Sequence, residues 1–517
     1  MSCQRPAGVA SPRPQPWVPI AAFGVALLLQ LAVLFAGPSN TGTAILLAGM
    51  GAALVLAGLA YPAVAVSLLL ITSFLRLAQP ASALPVDAFV LAFGGVLASA
   101  ALAILRRVNQ LPRLGAVETA MVLYLAWNIG SVIAPHTLSA TVPLTAEELP
   151  VWRFILTGTM IPFALYFVGR FVLNTDQAVC RVLWLVLGLT GYSASVSILQ
   201  FHGPAALVWP RYIVEAPNWE NRAVGVFNQP VVNGLVLIIG FVIALHLACR
   251  SGGARWSPVV AYAIATSSAY AIYLTHTRAI WLSFLVVLVA GAVLARGWRT
   301  GFLAPLLAAT VAAVANWSAF TSQDREAGGV ASAGEIEDRL NGIATSVWAV
   351  QEKPIAGWGI GRFAPVNTYY HQQWSQEVSW ERGYGISSHL NELGIATELG
   401  LVGLALWLTV LVLVGRRLVR AVRLLPEHTA ASGIALAALF AFAVWVTTGA
   451  TVDLRFFEFP NALVMLLAGI ATTYAERSPD TSAPAPMAVL PDGPRSRRLL
   501  AGADSSATDT TTKELTR

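Results

Sequence analysis

The chain contains few charged residues for its length. Only 11% of its 517 residues are Asp, Glu, Lys or Arg, and 56% are hydrophobic, whereas a soluble globular domain carries about a quarter charged residues. A segment that crosses a bilayer as a helix needs about 20 apolar residues, and runs of that kind recur along most of the chain. This composition excludes an ordinary soluble protein and predicts an all-α polytopic membrane protein.

Cysteine is also scarce. Cys3, Cys180 and Cys249 are the three cysteines of the sequence, and their spacing fits neither a metal site nor a disulfide framework. The formal net charge of +6 comes from arginines beside the apolar runs, so it gives no reason to expect a nucleic-acid partner. We therefore predict reduced, unpaired thiols, no cofactor, and no nucleic acid among the partners.

About fourteen apolar runs approach the length of a membrane-spanning helix, and 12–14 spans are predicted. Residues 1–16 form a short cytoplasmic segment, and the run after it is too long for a signal-peptide core, so we expect an uncleaved first span. Residues 17–320 hold spans 1–11, 321–397 form a large polar loop, 398–474 hold spans 12–14, and 478–517 form a disordered cytoplasmic tail. The spans lie near 17–36, 42–60, 61–76, 87–105, 116–134, 151–172, 181–199, 225–249, 258–275, 279–296, 302–320, 398–415, 430–452 and 459–474.

The distribution of arginines sets the predicted orientation. Cytoplasmic connections of membrane proteins are enriched in Lys and Arg, and with the N-terminus inside, most arginines fall in inward connections. The large loop carries both signs of charge, and a loop of this length is translocated regardless of its charge. It is therefore predicted to face the periplasm or the cell exterior. The short outward connections hold few arginines, namely Arg76, Arg211, Arg222, Arg278 and Arg455, with Arg153 at a boundary.

The large loop contains one amphipathic segment. Apolar residues recur there at helical spacing, which predicts a helix over about 335–352 that lies along the membrane surface or covers a cavity. The glycine-rich segment 357–361 that follows Pro354 is not a dinucleotide-binding fingerprint, because no strand precedes it. The apolar positions are Ile336, Leu340, Ile343, Val347 and Val350.

Three polar sites at the outer ends of spans are candidates for chemistry. Arg222 stands at the mouth of a span, where an interfacial arginine that extends to the headgroups is an equal alternative. Arg278 occupies a very tight outward connection, where positive charge runs against the positive-inside bias and favours a function. A solitary histidine is more often structural, but His389 ends the large loop among other polar residues. These are Ser387, Ser388, Asn391 and Glu392.

The candidate sites occur in the order found in a known family. Over residues 215–410 the chain resembles the O-antigen ligase and polymerase superfamily of bacterial inner-membrane glycosyltransferases. One departure is that the family commonly has Asn directly after the histidine, whereas this chain has Leu390 and then Asn391. The matching blocks are Arg222-x-x-Gly225-x-Phe227 with Pro230, Thr277-Arg278-Ala279, Pro354-Ile355-x-Gly357-x-Gly359-x-Gly361-x-Phe363 in the long loop, and His389-x-x-x-Leu393-x-x-x-x-Glu398-x-Gly400-x-x-Gly403.

The resemblance implies a GT-C-like membrane fold and transfer of a glycan from undecaprenyl diphosphate to an acceptor hydroxyl at the periplasmic face. The acceptor is lipid A–core in ligases, a growing polysaccharide in polymerases, and a protein hydroxyl in related oligosaccharyltransferases. The implied location is the bacterial inner membrane, with membrane lipids around the protein. The sequence leaves the choice among these three kinds of transferase open.

The residue types fit this chemistry. A diphosphate leaving group needs cations, and Arg222 and Arg278 are predicted to bind it, because a guanidinium binds phosphate through two N–H groups and stays charged. His389 is the predicted general base for direct, inverting attack by the acceptor hydroxyl, and no metal ion is required. Glu398 is predicted to orient His389 or to bind substrate, the alternative being a helix-start carboxylate. Further predicted substrate-binding residues are Arg339, Arg362, Arg382 and Asn391, with solvated loop charges as the alternative for the arginines.

Two other classes of function remain open from the sequence. A transporter of a glycan-lipid or a small anion would place ionisable residues near mid-membrane, in broken helices. The candidate residues here lie at helix ends on one side, which favours an active site open to one face of the membrane. A catalytically inactive scaffold in an envelope polysaccharide complex is the third alternative, and the intact arginines and histidine argue against it.

Overall fold

A computed structural model of the chain describes residues 60–78, 87–106, 114–141, 149–173, 175–217, 219–250, 255–324, 334–381 and 384–477, together with 58, 326 and 329. Within these ranges the chain is helical and contains no β-strand. The predicted all-α class is therefore confirmed. The predicted span 17–36, nearly all of 42–60 and the predicted tail 478–517 lie outside the described residues.

Most of the described residues lie in helices joined by short connections. The helix α4 contains two π-helical turns, Leu156–Met160 and Val168–Val172. Shorter helical turns lie at Tyr212–Glu215, Gly225–Phe227 and Leu454–Phe456. The helices are α1 (Pro62–Phe74), α2 (Ala88–Leu105), α3 (Ala116–Ile133), α4 (Val151–Val172), α5 (Asp176–His202), α6 (Pro230–Ala248), α7 (Ser257–Leu274), α8 (Arg278–Leu294), α9 (Thr300–Ala315), α10 (Gly334–Glu352), α11 (Phe363–Tyr369), α12 (Asn391–Leu424), α13 (Ala430–Gly449) and α14 (Glu458–Arg477).

Eight of the described helices are long and apolar enough to cross a membrane: α2, α3, α4, α5, α6, α7, α12 and α13. The helices α1, α8 and α9 are apolar but shorter. The chain is thus a multi-pass membrane protein, while the count of 12–14 spans stays a prediction. The helix predicted over about 335–352 is confirmed as α10.

The helix α6 lies within the bundle and is buried almost throughout. A helix that is apolar all round has no face that prefers water, so it is stable only when it is surrounded. Small residues let its neighbours approach closely: a Cβ added to Gly240 of α6 would lie 2.1 Å from the side chain of Thr190 in α5. The helices α4 and α14 are equally close, since a Cβ on Gly469 would lie 2.2 Å from the carbonyl oxygen of Tyr166.

The ion pairs between separate helices agree with the predicted sidedness. Each pair joins two residues that the arginine distribution assigns to the same face of the membrane. The pairs therefore fall into two groups, one of residues predicted to face the periplasm and one of residues predicted to face the cytoplasm, and the orientation itself stays a prediction. The pairs are Arg76–Glu458, Arg153–Asp87 and Arg455–Glu398 in the first group, and Arg170–Glu118, Arg170–Glu476, Arg417–Glu476 and Arg296–Glu427 in the second.

Candidate functional site

Arg222 and Arg278 are carried by two connections that dock against each other. The helix α7 ends at residue 274 and α8 begins at Arg278, so the connection between them is a tight turn. The backbone N–H of Ala223 donates to the carbonyl of the last residue of α7 at 2.8 Å. A ring nitrogen of His276 lies 2.6 Å from the carbonyl oxygen of Asn221. These contacts hold the loop before α6 against the α7–α8 turn.

The guanidinium groups of Arg222 and Arg278 are half-buried and influence each other. Arg222 lies over the ring of Trp219 at 4.9 Å. Arg278 donates from Nε to the carbonyl of Gly329 at 3.1 Å and from Nη2 to that of Gln323 at 3.0 Å. Burial lowers the pKa of the Arg222 guanidinium, and the nearby charge of Arg278 lowers it further. Two neighbouring like charges favour an anion beside them, so this pair is chemically suited to phosphate groups.

His389 lines a small pocket together with Arg339 of α10. The pocket is narrow, with a cavity volume of about 10 Å³. An imidazole and a guanidinium share it, so the pocket offers both a group that accepts a proton and a fixed positive charge. The other lining residues are Gly342, Ser346, Phe363, Asn367, Ile386, Ser387, Ser388 and Leu390.

Two buried asparagines hold the walls of the pocket in place. Asn367 donates from Nδ2 to the carbonyl of Ile386 at 3.1 Å, and its Oδ1 lies 3.1 Å from Nδ1 of His371. Asn341 of α10 donates from Nδ2 to the carbonyl of Ser379 at 2.7 Å. Both asparagines are fully buried. A buried side-chain amide must keep its hydrogen bonds, so it fixes the position of the backbone groups that it contacts. The loop segments around the pocket are therefore fixed to α10 and α11.

His389 itself is held by a turn just before α12. Ser388 is buried, and its hydroxyl donates to the carbonyl of Leu390 at 2.6 Å and accepts from the N–H of Leu390 at 3.2 Å. The backbone is thereby fixed on both sides of His389, and α12 begins at Asn391. Asn391 is also buried, and among the described residues its Oδ1 has no hydrogen-bond partner. Its role in binding substrate stays a prediction.

Glu398 lies within α12, two residues before the kink at Gly400. The predicted span begins at 398, but α12 begins at Asn391, and Glu398 is 2% exposed. Its Oε1 accepts from the backbone N–H of Phe363 at 3.2 Å, and its Oε2 accepts from Nη1 of Arg455 at 2.5 Å. The non-helical backbone of Gly400 divides α12 into two helical segments, and Glu398 lies two residues before this break, so the helix-start alternative stays a prediction. A contact of Glu398 with His389 or with substrate stays a prediction.

The glycine-rich segment 357–361 docks along α12 where that helix is kinked. The N–H of Gly359 donates to the carbonyl of Glu398 at 2.8 Å. Gly400 makes the kink with φ 68° and ψ −174°, a conformation open almost only to glycine. A Cβ there would lie 2.2 Å from the carbonyl oxygen of Ile355. These glycines join the large loop to the helix that follows His389, so the glycine-rich motif has a structural role.

Arg455 is the residue that sequence reasoning missed, because it was counted only among the outward arginines. It lies in the turn between α13 and α14 and is 5% exposed. Its Nε and Nη2 donate to the two oxygens of Asp453 at 2.9 and 2.6 Å. Burial lowers its pKa, but the carboxylates of Asp453 and Glu398 outweigh burial and raise the pKa above the ordinary value for arginine. The sequence does contain a signal for this ion pair, because Arg455 is predicted to face outward and lies two residues after Asp453.

Arg362 and Arg382 complete the predicted substrate-binding residues. Arg362 is half-buried and donates from Nε to the carbonyl of Leu138 at 2.8 Å and from Nη1 to that of Ile360 at 3.0 Å. It is therefore more than a solvated loop charge, since it ties the large loop to the α3–α4 connection. Arg382 lies outside the described residues.

The structure groups the candidate residues in three places. Arg222 lies with Arg278, His389 lies with Arg339, and Glu398 lies with a newly identified arginine in the turn before α14. A single cavity shared by the two arginines and His389 stays a prediction. Across the ranges that the structure describes, no three His, Cys, Asp or Glu side chains come together as metal ligands.

A family model described as O-antigen ligase matches residues 261–408. The match runs from within α7 to within α12 and includes Arg278, Arg339 and His389, whereas Arg222 and Arg455 lie outside it. No curated protein matches the chain. Residues 261–408 therefore form a region similar to the O-antigen ligase family, which supports the resemblance to the O-antigen ligase superfamily.

Proposed function

We propose that the chain is a glycosyltransferase that moves a glycan from undecaprenyl diphosphate to a hydroxyl of lipid A–core at the periplasmic face of the inner membrane. The reaction is metal-independent and inverts the anomeric configuration. The observation that carries the proposal is the docking of the Arg222 loop onto the Arg278 turn, in a chain with a region similar to the O-antigen ligase family. The pocket that His389 shares with Arg339 gives further support.

The two arginines bind the diphosphate of the donor. Negative charge grows on the leaving diphosphate as the glycosidic bond breaks, so cations beside it stabilise the transition state more than the ground state. A guanidinium presents paired N–H groups that match phosphate oxygens. In well-studied enzymes one such preorganised donor contributes about 3 kcal/mol to transition-state stabilisation. Arg222 and Arg278 together take the place that a divalent cation holds in many other glycosyltransferases.

His389 takes the proton of the acceptor hydroxyl. The hydroxyl oxygen forms a bond to the anomeric carbon from the side opposite the diphosphate, and the bond from that carbon to the diphosphate oxygen breaks. The proton passes to the imidazole of His389, and the diphosphate leaves as an anion on its lipid carrier. A histidine suits this step because its ordinary pKa, about 6.5, lies near the working pH. One displacement inverts the configuration, so no covalent intermediate is needed.

The proposal is tested by reconstitution of the full chain in proteoliposomes with a labelled undecaprenyl-diphosphate-linked glycan and lipid A–core. We expect transfer that persists in EDTA and falls by at least about 100-fold in Arg278→Ala and in His389→Ala. The matched control is Arg211→Ala, which removes an exposed arginine of the same predicted face that pairs with Glu215. Solute flux that survives Arg278→Ala and His389→Ala, with no transfer by the parent chain, would favour a transporter instead.

Polymerisation of an O-antigen or exopolysaccharide is the second candidate, because the same domain serves O-antigen ligase-type and polymerase-type chemistry. A deletion strain separates the two functions. Loss of a ligase leaves complete polysaccharide chains on the lipid carrier, whereas loss of a polymerase leaves single repeat units. We expect complete chains on the carrier and unextended core on the surface.

A further inference from the structure

We propose that Arg455 is a positioning residue for His389 in the glycan transfer, an inference that rests on the proposed function. Arg455 is buried in the turn between α13 and α14. It lies behind the pocket wall rather than in it, so its effect on the reaction passes through its neighbours. Two separate contacts connect it to residues that line the His389 pocket.

The first connection runs through the turn that carries His389. A Cβ added to Gly394 of α12 would lie 2.7 Å from Nη2 of Arg455 and 3.0 Å from Cβ of Ser388. The guanidinium and the Ser388 side chain therefore both pack against α12 at Gly394. Ser388 is a wall residue of the pocket, and its hydroxyl fixes the backbone on both sides of His389.

The second connection runs through Glu398. Arg455 donates from Nη1 to Oε2 of this carboxylate at 2.5 Å, and Oε1 accepts from the backbone N–H of Phe363 at 3.2 Å. Phe363 begins α11 and lines the same pocket as His389. One buried guanidinium thus holds two separate wall segments. Loss of its fork geometry changes the distance between those walls, and displacements of about 1 Å in an active site cost on the order of 100-fold in rate.

A matched control exists at the other face of the membrane. Arg170 is also buried and bound by two carboxylates, since its Nε and Nη2 donate to Glu476 at 3.3 and 2.6 Å and its Nη1 donates to Glu118. Arg455 has the same arrangement, with a bidentate contact to Asp453 and a single contact to Glu398. Lysine at either position keeps the charge and loses the planar fork, although Glu476 is 39% exposed whereas both carboxylates on Arg455 are buried.

The experiment measures transfer by purified full-length chains that carry R455K, R170K, H389A or the pair R455K/H389A. We expect R455K to lower kcat by about tenfold or more with the donor KM within about twofold. R170K should also lower the unfolding temperature, but it should leave kcat within about twofold. In the H389A background R455K should add less than about twofold, because residues that act through one step are not additive. Equal kcat in R455K and R170K, or an R455K effect that multiplies with that of H389A, would overturn the inference.

A second variant covers the case in which R455K does not fold. Gly394→Ala inserts a methyl group between Arg455 and Ser388 without removing any charge, whereas Gly415→Ala in the same helix meets only an ordinary contact at 3.4 Å with Phe442. We expect a loss of kcat in the first variant alone, and equal kcat in both would reject the positioning role. Full activity of H389A would instead reject the proposed base, so the two failures are distinguishable.

Discussion

Nη1 of Arg455 donates to Oε2 of Glu398 at 2.5 Å inside the protein, and this pair joins the turn before α14 to the helix that follows His389. Both side chains are almost fully buried. A buried ion pair contributes little net stability compared with apolar packing, but removal of one partner leaves an uncompensated charge. The pair therefore acts chiefly as a specific connection between two segments near the pocket.

Glu398→Gln should destabilise the chain because it leaves the Arg455 charge with Asp453 alone and weakens the contact to Phe363. Breaking a buried pair costs about 3–5 kcal/mol in free energy of unfolding. The measurement is the unfolding temperature of the detergent-solubilised chain. The matched control is Glu392→Gln in the first turn of the same helix, which should cost no more than about 1 kcal/mol. An unchanged unfolding temperature in Glu398→Gln would contradict the buried connection.

Gly400→Ala should detach the glycine-rich segment from α12. The alanine would have to adopt φ 68° and ψ −174°, which costs about 1–3 kcal/mol, and its Cβ would meet the carbonyl oxygen of Ile355 at 2.2 Å. We expect faster proteolysis within residues 353–362 under native conditions. Gly130→Ala in α3 is the control, since a Cβ there meets nothing within 4 Å and alanine is the better helix former. Equal protection of the two variants would show that the kink tolerates a side chain.

The sequence predicts those elements whose pattern lies within one short stretch of the chain. Low charge and long apolar runs predicted the membrane helices, and the 335–352 periodicity predicted α10, because both patterns are local. The helix start at 391 was missed because Asn391, Glu392 and Thr397 are polar, so a hydropathy pattern places the span later. Asn391 and Thr397 belong to a helix because the protein itself covers them, and burial by distant segments leaves no mark on local hydropathy.

The candidate site also depends on contacts between residues that are distant in the sequence. Arg222 and Arg278 were singled out by position and family motif, and the structure places their loops together. Arg455 was not singled out, because its importance depends on Glu398, which is distant in sequence and carried by another helix. An ion cluster of this kind is fixed by tertiary packing alone. The predicted meeting of both arginines with His389 likewise depends on packing that no local pattern encodes.

Packing between the large loop and the α3–α4 connection should weaken at acidic pH through His136. Burial lowers the pKa of the His136 imidazole, and the charges of Arg362 and Lys353 lower it further. Its pKa is thus lower in the folded chain than in the unfolded one, so this contribution to stability is complete above about pH 6.5 and is lost as the pH falls below that value. A Cβ on Gly359 would lie 2.4 Å from this ring, so the glycine-rich segment should respond first.

Hydrogen–deuterium exchange of residues 357–363 at pH 7.5 and pH 5.5, corrected for intrinsic rates, measures this effect. We expect faster exchange at the lower pH in the parent chain and a smaller pH difference in His136→Gln. His428→Gln, at an exposed position on the other predicted face, should keep the pH difference of the parent. A pH difference that survives His136→Gln unchanged would assign the effect to another group.

Arg222→Lys separates phosphate binding from simple anchoring at the membrane surface. A lysine extends to headgroups as well as an arginine does, so an anchoring role predicts full activity in Arg222→Lys. A role in binding diphosphate predicts a loss, because the ammonium is a point charge without the paired N–H groups that match phosphate oxygens. We expect transfer to fall by about tenfold in Arg222→Lys and by about 100-fold or more in Arg222→Ala.

Inhibition by added undecaprenyl diphosphate should weaken in the same order, since that product keeps the phosphates and lacks the glycan. Arg211→Lys, which alters an exposed pair with Glu215 and a hydrogen bond to the carbonyl of Ala205, should match the parent in both measurements. Parental activity and parental product inhibition in Arg222→Lys would assign this arginine to the headgroup region and leave Arg278 as the phosphate-binding candidate.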